Sequence, residues 1–240
     1  MPTVILVRHG RSSANTAGVL AGRTPGVHLD DTGVQQAGAV GERLAGVRLA
    51  AAVTSPLERC RETAREITSR QATALRATTD KQLSECDYGE WQGRPIKELA
   101  KEKLWRTVQA QPSAVTFPGG ESMRGMQDRA VAAVRRHATR VGAEHGDAAV
   151  WLAVSHGDVI KSILADALGS HLDLFQRIHV DPGSVSIIRY GETRPFVLGT
   201  NTHAGDLSWL TPPKKARSRR RRDDAEVGGG AGPGAQTGRS

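Results

Sequence analysis

The sequence is poor in cysteine and in aromatic residues. Its 240 residues include two cysteines, Cys60 and Cys86, and 4% are Phe, Trp or Tyr. Two cysteines outside any CxxC pattern allow at most one bridge, which fits a reducing compartment. Because aromatic residues are few while Ala, Val and Leu are abundant, we expect an aliphatic core.

Long apolar runs are also missing. No run approaches the roughly 20 residues that a membrane-spanning helix requires. The N-terminus has no basic segment followed by an apolar one, as a secretory signal would have. We therefore expect a cytoplasmic protein with no membrane partner. The length suits one substantial domain with a large core.

Positive charge is concentrated near the C-terminus. Residues 211–240 hold eight Lys and Arg against three Asp and Glu, so they carry +5 of the net charge of +8. This segment is rich in Gly, Pro and Arg and cannot bury enough apolar surface to offset its ordering entropy. We predict a folded domain over 1–210 and a disordered basic tail over 211–240. Nucleic-acid binding is not expected of the folded domain and would involve only the tail.

Strand and helix patterns alternate along the predicted domain. The continuous apolar run before Arg8 predicts a strand that is covered on both faces. The alternation predicts an α/β fold, a three-layer α/β/α sandwich around a mostly parallel sheet with one antiparallel edge strand. Strands are predicted over 3–8, 49–55, 75–78, 148–157, 184–190 and 194–200, and helices over 30–46, 56–70, 121–146 and 158–169.

Chemically active side chains follow three of the predicted strands. Arg8 and His9 end the first strand, His156 follows the strand over 148–157, and Arg59 lies one turn into the helix after the second strand. Ligands of open α/β sheets bind outside the carboxyl ends of the strands, so these side chains should share one rim. Arginine matches phosphate oxygens, and a histidine amid positive charge should stay neutral and nucleophilic. The pattern predicts a phosphoryl site with covalent catalysis by a histidine.

This rim has two alternative interpretations. Either histidine alone would be interpreted as structural, and the joint placement at three strand ends favours a site. A metal centre on His9 and His156 is disfavoured, because the arginines would repel a cation and no HExxH motif or carboxylate cluster accompanies them. We therefore expect neither a metal nor an organic cofactor.

Phosphoryl transfer to a histidine also needs an acid that protonates the leaving oxygen. The segment over 82–94 is loop-like and offers three carboxylates, Glu85, Asp87 and Glu90. Physical chemistry alone does not choose among the three.

Five segments, in order, resemble the histidine phosphatase superfamily, also called the phosphoglycerate mutase-like family. RHGRSSAN (8–15) is similar to its RHGxSxxN signature, and SPLERCRETA (55–64) to its SPLxRxxxTA motif. LSECDYGEWQG (83–93), FPGGES (117–122) and SHG (155–157) resemble its acid loop, its PGGES turn and its second histidine motif. Within the superfamily, the chain resembles an actinobacterial group described as phosphomutases and phosphatases.

The resemblance implies a role for each matching residue. His9 would be the nucleophile that becomes phosphohistidine. Glu85, at the acid position of the family's loop, would protonate the leaving group and then activate water. Arg8, Arg59 and His156 would bind the phosphoryl group. Further pocket residues implied by the resemblance are Asn15, which would donate a hydrogen bond to the phosphoryl group, and Ser12, Gly22 and Tyr88, which would line the entrance.

The resemblance leaves two reactions open. We expect a phosphomonoester hydrolase that acts on a small phosphorylated metabolite, and the alternative is a phosphomutase of the phosphoglycerate mutase type. Only 23 residues (94–116), predicted to form one helix, separate the acid loop from the PGGES turn. The family's glycolytic mutases have a long insertion there, and a shorter cover admits water more easily.

Two further points concern residue 11 and assembly. Arg11 stands where many family members, especially the mutases, have Glu. Its charge beside the pocket would favour a more anionic substrate, or its side chain faces solvent, and we expect the second. The natural substrate and the oligomeric state are not determined by the sequence, and a homodimer is among the assemblies it allows.

Overall fold

The structure, a computed structural model, describes residues 2–203. The predicted domain boundary at residue 210 and the predicted disordered tail over 211–240 lie outside the described residues. Within residues 2–203, every helix is too short or too polar to cross a bilayer.

Six strands of the described chain form one mixed sheet. They are β1 (Thr3–Arg8), β2 (Leu49–Thr54), β3 (Thr78–Thr79), β4 (Val150–Ser155), β5 (Val185–Tyr190) and β6 (Pro195–Thr202). Their order across the sheet is β3-β2-β4-β1-β5-β6, and the first four in that order are parallel. β5 runs antiparallel to β1 and forms a hairpin with β6 at one edge. The prediction of a mostly parallel sheet with an antiparallel edge is confirmed.

Helices cover both faces of this sheet. They are α1 (Ser13–Ala17), α2 (Asp31–Leu44), α3 (Glu58–Thr68), α4 (Ile96–Leu99), α5 (Lys103–Ala110), α6 (Met123–His145) and α7 (Gly157–Ala167). Apolar side chains of α2 and α3 form one buried cluster with one face of the sheet, and those of α6 and α7 form a second cluster with the other face. This is the predicted three-layer sandwich.

The central strand β1 lies between the two clusters. Val4 and Leu6 belong to the cluster with α6 and α7, whereas Ile5 and Val7 belong to the cluster with α2 and α3. All four are at most 4% exposed, because successive side chains of a strand point to opposite faces and both faces are covered. The packing fixes the carboxyl end of β1, where Arg8 stands.

Two details of the predicted secondary structure are wrong. Residues 94–116 do not form one helix but the two short helices α4 and α5, followed by a 3₁₀ turn at Pro112–Ala114. Leu99 and Trp105 are both buried in the same cluster, and side chains six residues apart on one helix would point to different faces. The weak strand predicted at 75–78 is the two-residue β3 instead.

Candidate active site

Four titratable or charged side chains meet at the carboxyl edge of the sheet. Arg8 ends β1 and His9 follows it, His156 follows β4, and Arg59 lies in the first turn of α3. All four are at most 3% exposed. The structure therefore brings together the residues that the sequence analysis placed on one rim and removes them almost completely from bulk water.

Arg59 connects the two histidines of this cluster by hydrogen bonds. Its Nε donates to His9 Nε2 at 3.2 Å, and its Nη2 donates to His156 Nδ1 at 3.1 Å and to the Gly22 carbonyl at 2.8 Å. Its third nitrogen, Nη1, is buried without a hydrogen-bond partner among residues 2–203. A buried donor without an acceptor is costly, so Nη1 is suited to an anion that binds in the pocket.

His9 is held as a neutral imidazole with its Nε2 lone pair on the side of Arg59. Its Nδ1 donates to the Gly10 carbonyl at 2.7 Å, which assigns the ring proton to Nδ1. Burial, and after it the charges of Arg59 and Arg8, hold the pKa of His9 well below its usual value of 6.5. The Nε2 atom is therefore a lone-pair donor at neutral pH.

His156 is oriented from both ring nitrogens. Nδ1 accepts from Arg59, so Nε2 carries the proton and donates to Ser55 Oγ at 2.8 Å. Its ring centroid lies 5.2 Å from that of His9. Burial and then the charge of Arg59 lower the pKa of His156 well below 6.5. Ser55 lies in the SPLERCRETA motif, but its sequence context predicted no role for it.

The loop before β5 holds the end of β1 from the other side. Arg8 Nη1 donates to the Val180 carbonyl at 2.8 Å. The Gly183 amide donates to the carbonyls of Arg8 and His9 at 3.1 and 3.2 Å. These contacts join residues more than 170 positions apart, and no sequence motif predicts them.

Glu85 is the one carboxylate of its loop that lines the pocket with His9 and Arg59 within the described chain. Asp87 accepts from the Gly89 amide instead, and Glu90 is exposed. Glu85 is 3% exposed and accepts from the amide of the next residue at 3.0 Å. Burial and then the charge of Asp158 raise the pKa of Glu85 to about 7. A carboxyl group with this pKa can give a proton and take one back near neutral pH.

The pocket lining includes seven of the nine predicted site residues, namely His9, Ser12, Asn15, Gly22, Arg59, Glu85 and Tyr88. Arg8 and His156 are buried and are not among the lining residues. Ser12 caps α1, and Asn15 Oδ1 accepts from the amide and hydroxyl of Ser12 at 3.0 and 2.8 Å. Gly22 has φ +52°, a left-handed conformation that favours glycine, and a Cβ there would also displace the side chain of Gln92.

Comparison with known proteins decides the family. Residues 4–203 match the model of the histidine phosphatase superfamily, branch 1. The chain belongs to this superfamily.

Relatives of this superfamily member span different lengths. The bifunctional protein Rv2228c of Mycobacterium tuberculosis is 36% identical over 191 residues, which cover 78% of this chain and 50% of that protein. The chain thus spans about half the length of this relative. Phosphoserine phosphatase 1 of Hydrogenobacter thermophilus is 30% identical over 212 residues, which cover 86% of this chain and 96% of the relative. The mycobacterial relative agrees with the predicted actinobacterial branch.

A solved structure supports the same assignment. YhfR from Bacillus stearothermophilus is 27% identical and superposes with a TM-score of 0.75, over 82% of this chain and 96% of its own. The sheet described above is therefore the sheet of the superfamily, and the family resemblance drawn from the sequence is confirmed.

Two charged residues of this superfamily member escaped the sequence analysis. Asp158 and Lys161 are fully or almost fully buried in α7, with Lys161 Nζ 3.8 Å from Asp158 Oδ1. Tyr88, which is fully buried, donates its hydroxyl to Asp158 Oδ2 at 2.7 Å. Tyr88 therefore lines the pocket as a fully buried side chain, and not at a solvent-exposed entrance. The available signal was the occurrence of Asp and Lys, three residues apart, among the apolar residues of the first turns of α7.

The expectation that the Arg11 side chain faces solvent is wrong. Its side chain is 18% exposed; Nε pairs with Asp30 Oδ2 at 2.7 Å, and Nη2 donates to Thr32 Oγ1 at 2.7 Å. Asp30 is the N-cap of α2, so the carboxylate binds both Arg11 and the helix end. The charge of Arg11 is balanced at this helix end.

Replacing Glu85 with Gln should stabilise the fold at alkaline pH. The pKa of Glu85 is about 7 in the fold against an ordinary value of 4.5, so the unfolded chain releases this proton first. The free energy of unfolding therefore falls as the pH rises between these two values, and a penalty of about 3 kcal/mol persists above the higher one. Gln keeps an acceptor for the Cys86 amide and carries no ionisable proton.

Urea unfolding of the Glu85→Gln variant and the unaltered chain tests this at two pH values. Between about pH 5.5 and about pH 8 the stability advantage of the variant should grow by about 2 kcal/mol. An advantage that is the same at both pH values would show that the pKa of Glu85 is not raised.

Proposed function

We propose that this protein is a cytoplasmic, metal-independent phosphomonoester hydrolase that acts on a small phosphorylated metabolite through a phosphohistidine at His9. The observation that carries the proposal is the Arg59 guanidinium. Two of its nitrogens contact His9 Nε2 and His156 Nδ1, and its buried Nη1 has no partner within residues 2–203. A phosphoryl group placed against His9 would supply acceptors for this guanidinium.

In the first half-reaction, the Nε2 lone pair of His9 attacks phosphorus in line with the ester oxygen. The N–P bond forms as the P–O ester bond breaks, and Glu85 gives its proton to the departing oxygen. As Nε2 bonds to phosphorus, Arg59 Nε changes its acceptor from Nε2 to a phosphoryl oxygen. Arg59, with Arg8 and His156 behind it, then balances the charge on the equatorial oxygens in a site with little water.

In the second half-reaction, water takes the phosphoryl group from His9. The Glu85 carboxylate accepts a proton from this water as its oxygen bonds to phosphorus, and the N–P bond breaks. Inorganic phosphate leaves, and His9 and protonated Glu85 are restored. The pKa of Glu85, raised to about 7 by burial and by Asp158, supports both directions of proton transfer near neutral pH.

Hydrolysis is favoured over mutase chemistry by the cover of the pocket. Between the acid loop and the PGGES turn, the chain provides only α4, α5 and one 3₁₀ turn. A short cover leaves water access to the phosphohistidine. The relative from Hydrogenobacter thermophilus is named for the hydrolysis of phosphoserine, which is a small phosphomonoester of the proposed class.

Trapping of the phosphoenzyme tests the proposal. The chain is mixed with a ³²P-labelled aryl phosphate in excess EDTA and quenched in alkali, in which phosphohistidine survives. We expect up to one label per chain, on His9, that is stable to alkali and labile to acid. The label should also be lost to inorganic phosphate in a chase.

The chase also separates the alternatives. A label that persists in water but passes to an added phosphoglycerate would identify a mutase. A protein that releases phosphate but never carries an acid-labile label, or that loses activity in EDTA, would contradict the proposed mechanism.

A further inference from the structure

Glu121, in the PGGES turn, binds two arginines at once. Its Oε1 accepts from Arg23 Nη2 at 2.8 Å and from Arg129 Nη2 at 2.6 Å, and its Oε2 accepts from Arg129 Nε at 2.9 Å. Burial alone would raise the pKa of Glu121, but the hydrogen bonds and charges of Arg129 and Arg23 outweigh it and lower the pKa. Glu121 is therefore an anion at neutral pH.

Both arginines also donate hydrogen bonds to the same backbone atom, the carbonyl oxygen of Glu85. Arg23 Nε and Arg129 Nη2 donate to the carbonyl of Glu85, at 2.9 and 3.1 Å. Arg23 comes from the loop before α2 and Arg129 from α6, so the two approach this carbonyl from different parts of the chain. A single carboxylate thus orients two guanidiniums that hold the main chain of the proposed acid.

The turn also binds the acid loop directly. The Glu121 amide donates to the Asp87 carbonyl at 2.9 Å, and the Asp87 amide donates back to Glu121 Oε1 at 2.8 Å. The two backbones are so close that a Cβ at Gly89 would lie 2.1 Å from the Pro118 oxygen, and one at Gly120 would lie 2.2 Å from the Asp87 oxygen. Both positions therefore require glycine.

The carboxyl of Glu85 itself has little to orient it. Within the described chain its one hydrogen bond is to the amide of the next residue, Cys86. The position of the carboxyl group in the pocket therefore depends on where the backbone of Glu85 is held. Misplacement of a reacting group by about 1 Å is enough to cost about 10²-fold in rate.

We propose that Glu121 is a positioning residue for the proposed acid: through Arg23, Arg129 and the Asp87 amide, it fixes the backbone of Glu85 and keeps its carboxyl in the pocket with His9. The inference rests on the proposed function, because it presumes that Glu85 protonates the leaving group.

The test compares two leaving groups in Glu121→Ala. The quantity is the ratio of kcat/KM for glycerol phosphate to kcat/KM for para-nitrophenyl phosphate, measured just below neutral pH. The alkoxide of glycerol needs the acid, whereas nitrophenolate leaves without one. We expect this ratio to fall by about tenfold or more in Glu121→Ala. A variant that is merely partly unfolded would lose both rates equally and keep the ratio.

Three further variants complete the experiment. Glu121→Gln keeps the shape of the side chain and should disturb folding less. It should lower the ratio less than Glu121→Ala. In a Glu85→Gln background, Glu121→Ala should lower the ratio no further, because the acid is already absent. Glu144→Gln, an exposed position on α6, is the matched control and should leave the ratio unchanged.

The outcomes separate the two proposals. If Glu85→Gln lowers the ratio and neither Glu121 variant does, the positioning role is overturned while the proposed function stands. If Glu85→Gln itself leaves the ratio unchanged, Glu85 is not the acid, so its role in the proposed mechanism and the positioning role of Glu121 both fail, while phosphohistidine formation at His9 is still decided by the trapping experiment. If Glu121→Ala lowers the ratio equally with and without Glu85, Glu121 acts by another route and the inference is wrong.

Discussion

Replacing His9 with Ala should abolish turnover of every phosphomonoester, with kcat/KM reduced at least about 10⁴-fold. In the proposed mechanism the imidazole supplies the atom that bonds to phosphorus. Among residues 2–203, no other neutral nucleophile that lines the pocket accepts a hydrogen bond from Arg59 Nε. The measurement is steady-state hydrolysis of para-nitrophenyl phosphate in excess EDTA, with ³²P labelling of the same samples.

His145→Ala is the matched control for this experiment. His145 is exposed at the end of α6, away from the rim, and its replacement should leave the rate within about twofold. Because His9→Ala also removes the acceptor of a buried arginine donor, its fold is checked by circular dichroism. A folded His9→Ala variant that retains normal turnover would refute histidine catalysis in this chain.

Replacing Glu85 with Gln should make the reaction sensitive to the leaving group. Glycerol phosphate hydrolysis should lose about 10² to 10⁴ in kcat/KM, the usual contribution of a positioned acid. With para-nitrophenyl phosphate, kcat/KM should change by less than about tenfold, because nitrophenolate departs without protonation. The difference arises because Gln has the shape of the acid but no proton to give.

The same variant should hold its phosphoenzyme longer. Without the carboxylate, water attack on phosphohistidine slows, so nitrophenolate should appear as a rapid burst of about one per chain, followed by slow turnover. Glu90→Gln, in the same loop but exposed, should show neither the burst nor the leaving-group effect. Equal losses of kcat/KM on both substrates would show that Glu85 does not act as the acid.

The part of the site that depends on strand ends could be predicted from the sequence. A buried apolar run is a strong strand signal, and in a parallel sheet such strands end at the same rim, whatever the distance along the chain. That is why Arg8, His9, Arg59 and His156 could be placed together. The choice of Glu85 among three carboxylates required the family resemblance, because its local spacing has no distinguishing pattern.

Other parts depend on long-range contacts that no local pattern encodes. The carbonyl of Glu85 accepts from arginines 62 and 44 residues away in sequence, and Ser55 meets a histidine 101 residues away. The division of 94–116 into two helices follows from tertiary packing, which overrides local helix propensity. Arg11 was misjudged because its partner Asp30 belongs to a separate helix end.

The hydrogen bond from Arg59 to His9 Nε2 has a consequence for chemical selectivity. The lone pair of the proposed nucleophile is engaged by a cationic donor until another acceptor draws that donor away. A phosphomonoester brings anionic oxygens that can do so, whereas a carboxylic ester or an amide brings only a weak neutral acceptor. In the proposed mechanism, the charge of the substrate would therefore release the His9 lone pair from Arg59, whereas an uncharged electrophile would meet an imidazole that is still hydrogen-bonded to the arginine.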